Sequence, residues 1–505
     1  MNRTSKSLNN IKFAILSQFV TTLLTFVTRT VMTWTLGIYA IALNGLFTEV
    51  IAVLSLTELG IGSAIAYNLY KPLAENDEEK ISQLMTLFKK VYRIIAGVTL
   101  VLGTLICPFI QYLVNGVEGY SLGYIRLVYM LFVIQIAASY LFSYKVTLLS
   151  ANQKQYIFSL INTIGKVVGN IVMLAILLLT KNYILYLIMN ILTTLGINAA
   201  TSFKADKIYP YLHDAQLPKE EVKQVFSNVK NIFIKSLSGK ITNSTDNILI
   251  SVLVNTLQVG YYSYYAMVVS VFKQLLDQLE GSINSSVGNL FATENNERCI
   301  LVLNRLTWMH GMLGIFVCSC IYACMETFIT LWMGKDFLLG YFVLFVICIN
   351  LFLYISCKPV YTAIHMTGEF EIGRNISIAG SVANLVVSIV LGIYMGIAGI
   401  FLGTVATYVL QIVLKSYYIY KLRFKCSPAK YAMMWIKMSV LLVVSMLLSN
   451  YLASFISTGI LIADFIIYGL IGTAVSGLII VIVYSRTEEF KYTLDLVKKI
   501  LLKKA

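Results

Sequence analysis

The chain has 505 residues, 58% hydrophobic and only 12% charged, with a mean hydropathy of +0.78. Water-soluble domains are not built from that composition, so the solvent for most of this chain is lipid. The formal net charge of +15 would suggest nucleic acid in a soluble protein, but in a membrane chain its meaning depends on where the charges sit.

Apolar runs and the breakers between them predict fourteen spans. They lie near 11–36, 38–66, 91–114, 122–147, 156–180, 183–203, 231–254, 258–286, 305–332, 338–357, 372–394, 397–419, 437–456 and 460–485. At roughly 20 residues each they take about 280 residues, which leaves no large soluble domain. The stretch Asn10 to Leu36 is too long for a signal-peptide core and lacks a small-residue cleavage site, so it reads as a retained first span. Six prolines, none in a run, argue against a disordered tail. The eight cysteines form no CxxC pair and the three histidines show no zinc spacing, so no metal centre is expected.

Lysine and arginine then orient the spans. With the N-terminus in the cytoplasm, 32 of the 39 fall in cytoplasmic pieces and only Arg126, Lys181 and Lys335 outside. That asymmetry predicts an even number of spans with both termini cytoplasmic, and it turns most of the +15 into a topology signal with no nucleic-acid partner. The chain also repeats. A shift of 219 residues lays Gly62-Ser63 on Gly281-Ser282, Glu58 on Asp277, and Glu75-Asn76 on Glu294-Asn295; a shift of 215 lays Gly165 on Gly380. A duplicated six-helix unit leaves such traces, and an even-numbered unit relates its copies by an axis along the membrane normal. The expected fold is an all-α polytopic membrane protein with about 14 transmembrane helices, two six-helix lobes related by pseudo-two-fold symmetry and two C-terminal helices. Its expected divisions are 1–203 (N-lobe), 204–230 (cytoplasmic linker), 231–422 (C-lobe), 423–485 (spans thirteen and fourteen) and 486–505 (a basic amphipathic tail). A second amphipathic face, Ile81, Leu84, Met85, Phe88 and Val91, follows Asn76; it fits the membrane surface or the end of the bundle equally well.

The functional signal is charge that lipid does not tolerate. An ionised Lys or Arg at mid-bilayer costs about 2.5–3.5 kcal/mol, and Arg29, Lys166, Lys240 and Lys273 all fall inside spans. Polar stripes at helical spacing accompany them: Gln18, Thr22, Thr25, Arg29 and Thr33 on span one; Ser159, Asn162, Lys166 and Asn170 on span five; Ser236, Lys240, Asn243 and Asn247 on span seven; Ser270, Lys273, Asp277, Glu280 and Asn284 on span eight. Such stripes predict a hydrophilic cleft shared by the two lobes. Arg29 with Glu49, and Lys273 with Asp277, are also read as ion pairs. Lys166 and Lys240 have no acidic residue within a turn and favour an anion, while Asp246 is left open between coordinating a cation and pairing with Arg29. The run Tyr261 to Tyr265 offers rings and hydroxyls to a sugar, although belt tyrosines at the membrane interface are its default reading.

The Thr-rich first span with Arg29, the segments Gly45-Leu46-Phe47 and Glu58-Leu59-Gly60-Ile61-Gly62-Ser63-Ala64, then Asp246-Asn247-Ile248-Leu249-Ile250-Ser251 and Gly396-Ile397-Ala398-Gly399-Ile400, carry a resemblance. In this order, with fourteen spans and a duplicated unit, they resemble the polysaccharide transporters, the O-antigen and capsule repeat-unit flippases of the multidrug/oligosaccharidyl-lipid/polysaccharide superfamily. The resemblance implies a flippase, not an enzyme, that moves undecaprenyl-pyrophosphate-linked oligosaccharide from the cytoplasmic to the outer leaflet of a bacterial inner or plasma membrane by alternating access. It implies membrane lipids and a polysaccharide polymerase machinery as partners. Substrate contacts would come from Arg29, Lys166, Lys240, Lys273, Asn243 and Asn247, with ion coupling at Glu49, Asp246 or Asp277. No GxxxxGK[ST] loop occurs, so no cofactor is expected and the energy comes from a gradient of Na+ or H+ or from consumption of product. A multidrug exporter would want an acidic-dominated cleft and usually stops at twelve spans. A polymerase or ligase would need a large outer loop, where every predicted one is under about a dozen residues.

Overall fold

The computed structural model describes residues 3–58, 61–116, 119–223, 225 and 245–502, and among them every regular element is helical. The chain divides by packing into two compact units, 1–260 and 261–505.

The first unit opens with α1 (Arg3–Leu36), at about 1.5 Å per residue some 51 Å long. Gly37, at φ +79°, lets the chain turn into α2 (Ile38–Leu54). The expected second span, 38–66, is not one helix: α2 passes into a 3-10 turn at Ser55–Glu58 before α3 (Ile61–Glu75). Asn76, also left-handed at φ +55°, leads to Asp77, whose carboxylate accepts from the Lys80 amide at 2.9 Å and caps α4 (Glu78–Ile106). The short α5 (Ile110–Leu113) follows. Then come α6 (Leu122–Ala151), capped by Ser121, α7 (Gln155–Thr180) and α8 (Tyr183–Ile208), capped by Asn182. Span seven contributes α9 (Asp246–Leu253). It packs in this first unit: Ser251 Oγ donates to the Leu113 carbonyl at 2.6 Å, and Asn115 and Thr256 exchange two hydrogen bonds of 2.8 and 2.9 Å.

The amphipathic face at the start of α4 is buried against protein. Ile81, Leu84, Met85 and Phe88 are at most 4% exposed, in one core with Ile65, Leu69, Leu148 and Tyr209. The segment after α8 is strapped over this core, with Ala215 N donating to Thr86 Oγ1 (3.1 Å) and salt bridges Lys89–Asp214, Lys145–Asp206 and Lys80–Glu221.

The second unit holds most of α10 (Thr256–Thr293), then α11 (Asn296–Trp332), capped by Asn295, and α12 (Tyr341–Ser356). A bend at Cys357 and Pro359 opens α13 (Lys358–Met366). Next are α14 (Phe370–Met395), α15 (Ile397–Tyr417), which ends in a π turn at Tyr418–Arg423, α16 (Ala429–Ser454), α17 (Leu461–Tyr484) and α18 (Glu488–Leu502). The tyrosine run of span eight is not all interfacial belt: Tyr264 and Tyr265 are fully buried, Tyr264 against Trp332 and Phe337, and Tyr265 accepts from the Leu339 amide. Ten of the described helical segments are long and apolar enough to cross a membrane, which makes this a multi-pass membrane protein.

Candidate functional site

In the first unit α1, α7 and α8 enclose a cavity of about 290 Å³. Its polar wall comes from Thr21 and Thr25 of α1, Asn162, Lys166 and Asn170 of α7, and Tyr186, Asn190, Thr193, Thr194 and Asn198 of α8. Of the stripe expected on span one, Thr25 lines the cavity, opposite Asn162, Lys166 and Asn170 of the span-five stripe, and Thr21 and Thr28 flank it. Thr28 Oγ1 donates to Asn170 Oδ1 at 2.8 Å, and Asn170 Nδ2 donates to the Lys166 carbonyl at 2.7 Å. Glycines allow the close approach of α7 and α8: a Cβ on Gly165 would lie 2.4 Å from Ile197 Cγ1, and one on Gly169 2.3 Å from Thr193 Cγ2.

The electrostatics follow from the lining. Among the described residues that line the cavity there is one cation, Lys166, and no carboxylate, and Lys166 takes part in no described salt bridge. Thr193 Oγ1 is buried without a hydrogen-bond partner. A lysine, four amides and a row of hydroxyls can donate many hydrogen bonds to an anionic or sugar-bearing group, and a cation would find no charge to neutralise it. Arg29 stands one turn from Thr25 on α1.

On another side of the unit, α9 lies on α2 at Gly45. Asn247 Nδ2 donates to the Gly45 carbonyl at 3.5 Å, and a Cβ on Gly45 would sit 3.0 Å from Val259 Cγ1. Asp246 adjoins Asn247 at the first turn of α9, and Glu49, half-buried, follows Gly45 by one turn of α2. Lys240 and Asn243 lie outside the described residues.

In the second unit Lys273 Nζ sits 4.9 Å from the centre of the Tyr354 ring. Asp277 accepts from the Tyr354 hydroxyl at 2.6 Å and pairs with Lys358 at 2.5 Å. The rest of the stripe on α10 is anchored inside the same unit. Glu280 pairs with His310, whose Nδ1 donates to the Leu306 carbonyl at 2.8 Å, and Asn284 accepts from Thr362 at 2.9 Å.

Several of these groups escaped the sequence reading. Asn190, Thr194 and Asn198 recur every four residues along an apolar span, so the third wall of the cavity carried a visible signal in uncharged groups. Lys358 carried none, because it meets Asp277 from 81 positions away. Lys415, 5% exposed, is tucked against Gln411 and Ser377 with the Tyr361 ring 3.5 Å away.

The family model described as "Polysaccharide biosynthesis protein" matches residues 7–279. No curated protein matches the chain in sequence. Among solved structures, the lipid II flippase MurJ in an inward closed conformation aligns with a TM-score of 0.66 at 15% identity, covering 92% of this chain and 98% of that one. An inward-facing multidrug resistance MATE family transporter of the MOP superfamily aligns at 0.67 and 14%, over 80% and 94%. A MOP superfamily transporter from Pyrococcus furiosus, described by a binding pocket of reverse polarity, aligns at 0.55 and 13%, over 83% and 95%. At such identities the likeness is one of fold, and it is the fold of membrane transporters and flippases. The family match spans more than half of the sequence, and the chain belongs to the polysaccharide biosynthesis protein family.

Proposed function

We propose that this protein is a flippase for isoprenoid-linked oligosaccharide, carrying undecaprenyl-pyrophosphate-linked repeat units from the cytoplasmic to the outer leaflet of a bacterial inner or plasma membrane, with both of its termini in the cytoplasm. The observation that carries the reading is the cavity walled by α1, α7 and α8, where Lys166 stands among amides and hydroxyls with no carboxylate in the described lining. Lysine supplies charge to an anionic head group, and the asparagines and threonines supply the neutral donors and acceptors that sugar hydroxyls need. Arg29, one turn from Thr25 on α1, adds a planar donor suited to phosphate oxygens. Membership in a polysaccharide family and a fold shared with a lipid II flippase support the same substrate class.

In this reading the site binds and orients; no bond is made or broken. Glu49, Asp246 and Asp277 are the proposed ion-coupling carboxylates, Asp277 through its exchange of partners among Lys358, Tyr354 and an incoming cation. The test is to deplete the protein, extract isoprenoid-linked sugars and probe intact cells with a non-permeant glycosidase. Completed repeats accumulating out of reach of the glycosidase are expected. Single repeats accumulating within its reach would place the defect at polymerisation and refute the reading, as would no change in lipid-linked sugars.

A further inference from the structure

A second built site lies in the second unit, at the end rich in lysine and arginine, and it does not depend on which solute the protein carries. A pocket of about 240 Å³ has Lys430 and Lys437 on one wall, two helical turns apart on one face of α16, with Trp308 of α11 and Tyr484 at the end of α17 on the other. Trp308 is 3% exposed and Tyr484 7%, yet neither the indole Nε1 nor the phenol hydroxyl has a hydrogen-bond partner. Burying two donors without acceptors is costly. Both side chains are held where they are, because their rings pack edge to face with centroids 5.7 Å apart. Two residues with unsatisfied donors and two lysines border one small space, a set suited to an anion; Glu489, which also lines the pocket, offsets one of the two positive charges and leaves the site cationic.

Trp308 also lines a second, larger pocket of about 590 Å³. That space is hydrocarbon-lined, with Leu313, Phe316, Ile480 and Leu494 among its walls. Its two ionisable residues, Glu280 and His310, are already bound to each other. One tryptophan thus borders both a space for an anionic head and a space for aliphatic chains, in a protein surrounded by molecules that carry both. Nothing in the larger pocket would hold free phosphate.

We propose that these joined pockets are a binding site for an anionic phospholipid, its phosphodiester between Lys430, Lys437, Trp308 Nε1 and the Tyr484 hydroxyl, and an acyl chain along α11, α17 and α18. The amphipathic α18 supplies Phe490 and Leu494 to the chain pocket, and its Tyr492 ring stacks on Arg305 at 4.1 Å. A bound lipid would therefore fasten the C-terminal helix to the second unit. A zwitterionic lipid presents the same phosphate together with a cation that the two lysines repel, so the site selects for net negative charge.

Two measurements test this on the full-length protein. The first follows quenching of Trp308 by phosphatidylglycerol with brominated acyl chains, in a variant where Trp34, Trp332 and Trp435 are replaced by Phe. The second follows thermal unfolding of otherwise unaltered protein in detergent as phosphatidylglycerol is added. Phosphatidylglycerol is expected to quench Trp308 and raise the unfolding temperature. Lys430→Gln and Lys437→Gln, both at exposed positions, should each weaken its apparent affinity about tenfold, the scale of one charge-assisted hydrogen bond. Tyr484→Phe should weaken it about threefold, as for a neutral one. Equal binding of phosphatidylcholine, an affinity unchanged in the lysine variants, or stabilisation by inorganic phosphate alone would each overturn the proposal. None of these results bears on the leaflet assay that tests the transport reading.

Discussion

The helix pair α7–α8 and the pair α14–α15 occupy matching places in the duplicated sequence, yet they use their polar residues in opposite ways. The 215-residue shift superimposes Gly165 on Gly380, and each glycine admits a side chain of the partner helix: a Cβ would fall 2.4 Å from Ile197 Cγ1 in one and 2.5 Å from Gln411 Nε2 in the other. In the second unit the polar groups close on one another. Ser388 Oγ donates to the Ile400 carbonyl (2.8 Å), Asn384 Nδ2 to Thr404 Oγ1 (3.2 Å) and Thr407 Oγ1 to the Gly380 carbonyl (3.1 Å). In the first unit the equivalent interface opens into the Lys166 cavity and leaves Thr193 Oγ1 unpartnered. A polar group inside a membrane must find a partner in the protein, in water or in a ligand. The pair α14–α15 has found its partners within the chain and acts as a girder; α7–α8 borders a polar cavity with Lys166 in its wall and Thr193 Oγ1 unpartnered.

Substitutions in the two pairs should therefore separate function from stability. The largest effect is expected at Lys166→Gln, which removes the cavity's only described cation: export should fall about tenfold or more, with the protein still present in the membrane at its usual level. Arg29→Lys comes next. It keeps the charge and loses the planar fork, so export should drop several-fold if Arg29 meets phosphate oxygens; unimpaired export would reduce its role to neutralising Glu49. Gly399→Ala should act on stability alone. The new Cβ would stand 2.0 Å from the Leu391 carbonyl oxygen, a backbone atom that cannot swing aside, and thermal unfolding in detergent should show a loss of about 3 kcal/mol. Asn384→Ala, which breaks one bond of the girder, should cost about 1 kcal/mol in the same measurement and leave export unchanged. An Asn384 variant that abolished export while folding normally would erase the distinction between the two pairs.

The smallest effect concerns the strap after α8. His213 Nδ1 donates to the Tyr211 carbonyl at 3.0 Å and Nε2 lies 3.1 Å from Glu79, and that carbonyl and carboxylate raise its pKa above the ordinary imidazole value. A raised folded-state value means the contact helps below the unfolded value of about 6.5 and is lost as pH rises through the folded one. Protection of the Tyr211–Ala215 amides against exchange, taken relative to the intrinsic rate at each pH, should fall slightly from about pH 6 to about pH 8, and His213→Ala should remove that difference.

Much of this was legible from the residues because lipid imposes simple rules. Apolar runs marked the spans, and Asn162, Lys166 and Asn170 at helical spacing on span five, with Thr25 of span one, line a cavity within the first unit. The third wall was equally regular, but Asn190, Thr194 and Asn198 carry no charge, and the expected cost of buried charge had directed attention elsewhere. The stripe on span eight was correctly seen as a polar face; its partners were not, because Lys358, His310 and Thr362 come from distant helices and no periodicity on α10 names them. The break at Ser55–Glu58 went unread because the apolar run continues on both sides of it, and hydropathy does not mark a 3-10 turn. The amphipathic face of α4 shows a similar limit: the pattern defines an apolar face, and only packing decides that Tyr209 and its neighbours, and not lipid, cover it.

The central claim is that Lys166 and its ring of amides and hydroxyls serve a lipid-linked glycan in transit. The most direct measurement reconstitutes the purified protein into vesicles loaded with the isoprenoid-linked oligosaccharide extracted from depleted cells, and follows its exposure to an external glycosidase. Wild-type protein should make the glycan fully accessible over time, where vesicles without protein, or with Lys166→Gln, leave the fraction facing the lumen protected. Equal rates for the wild-type and Lys166→Gln proteins would contradict the account.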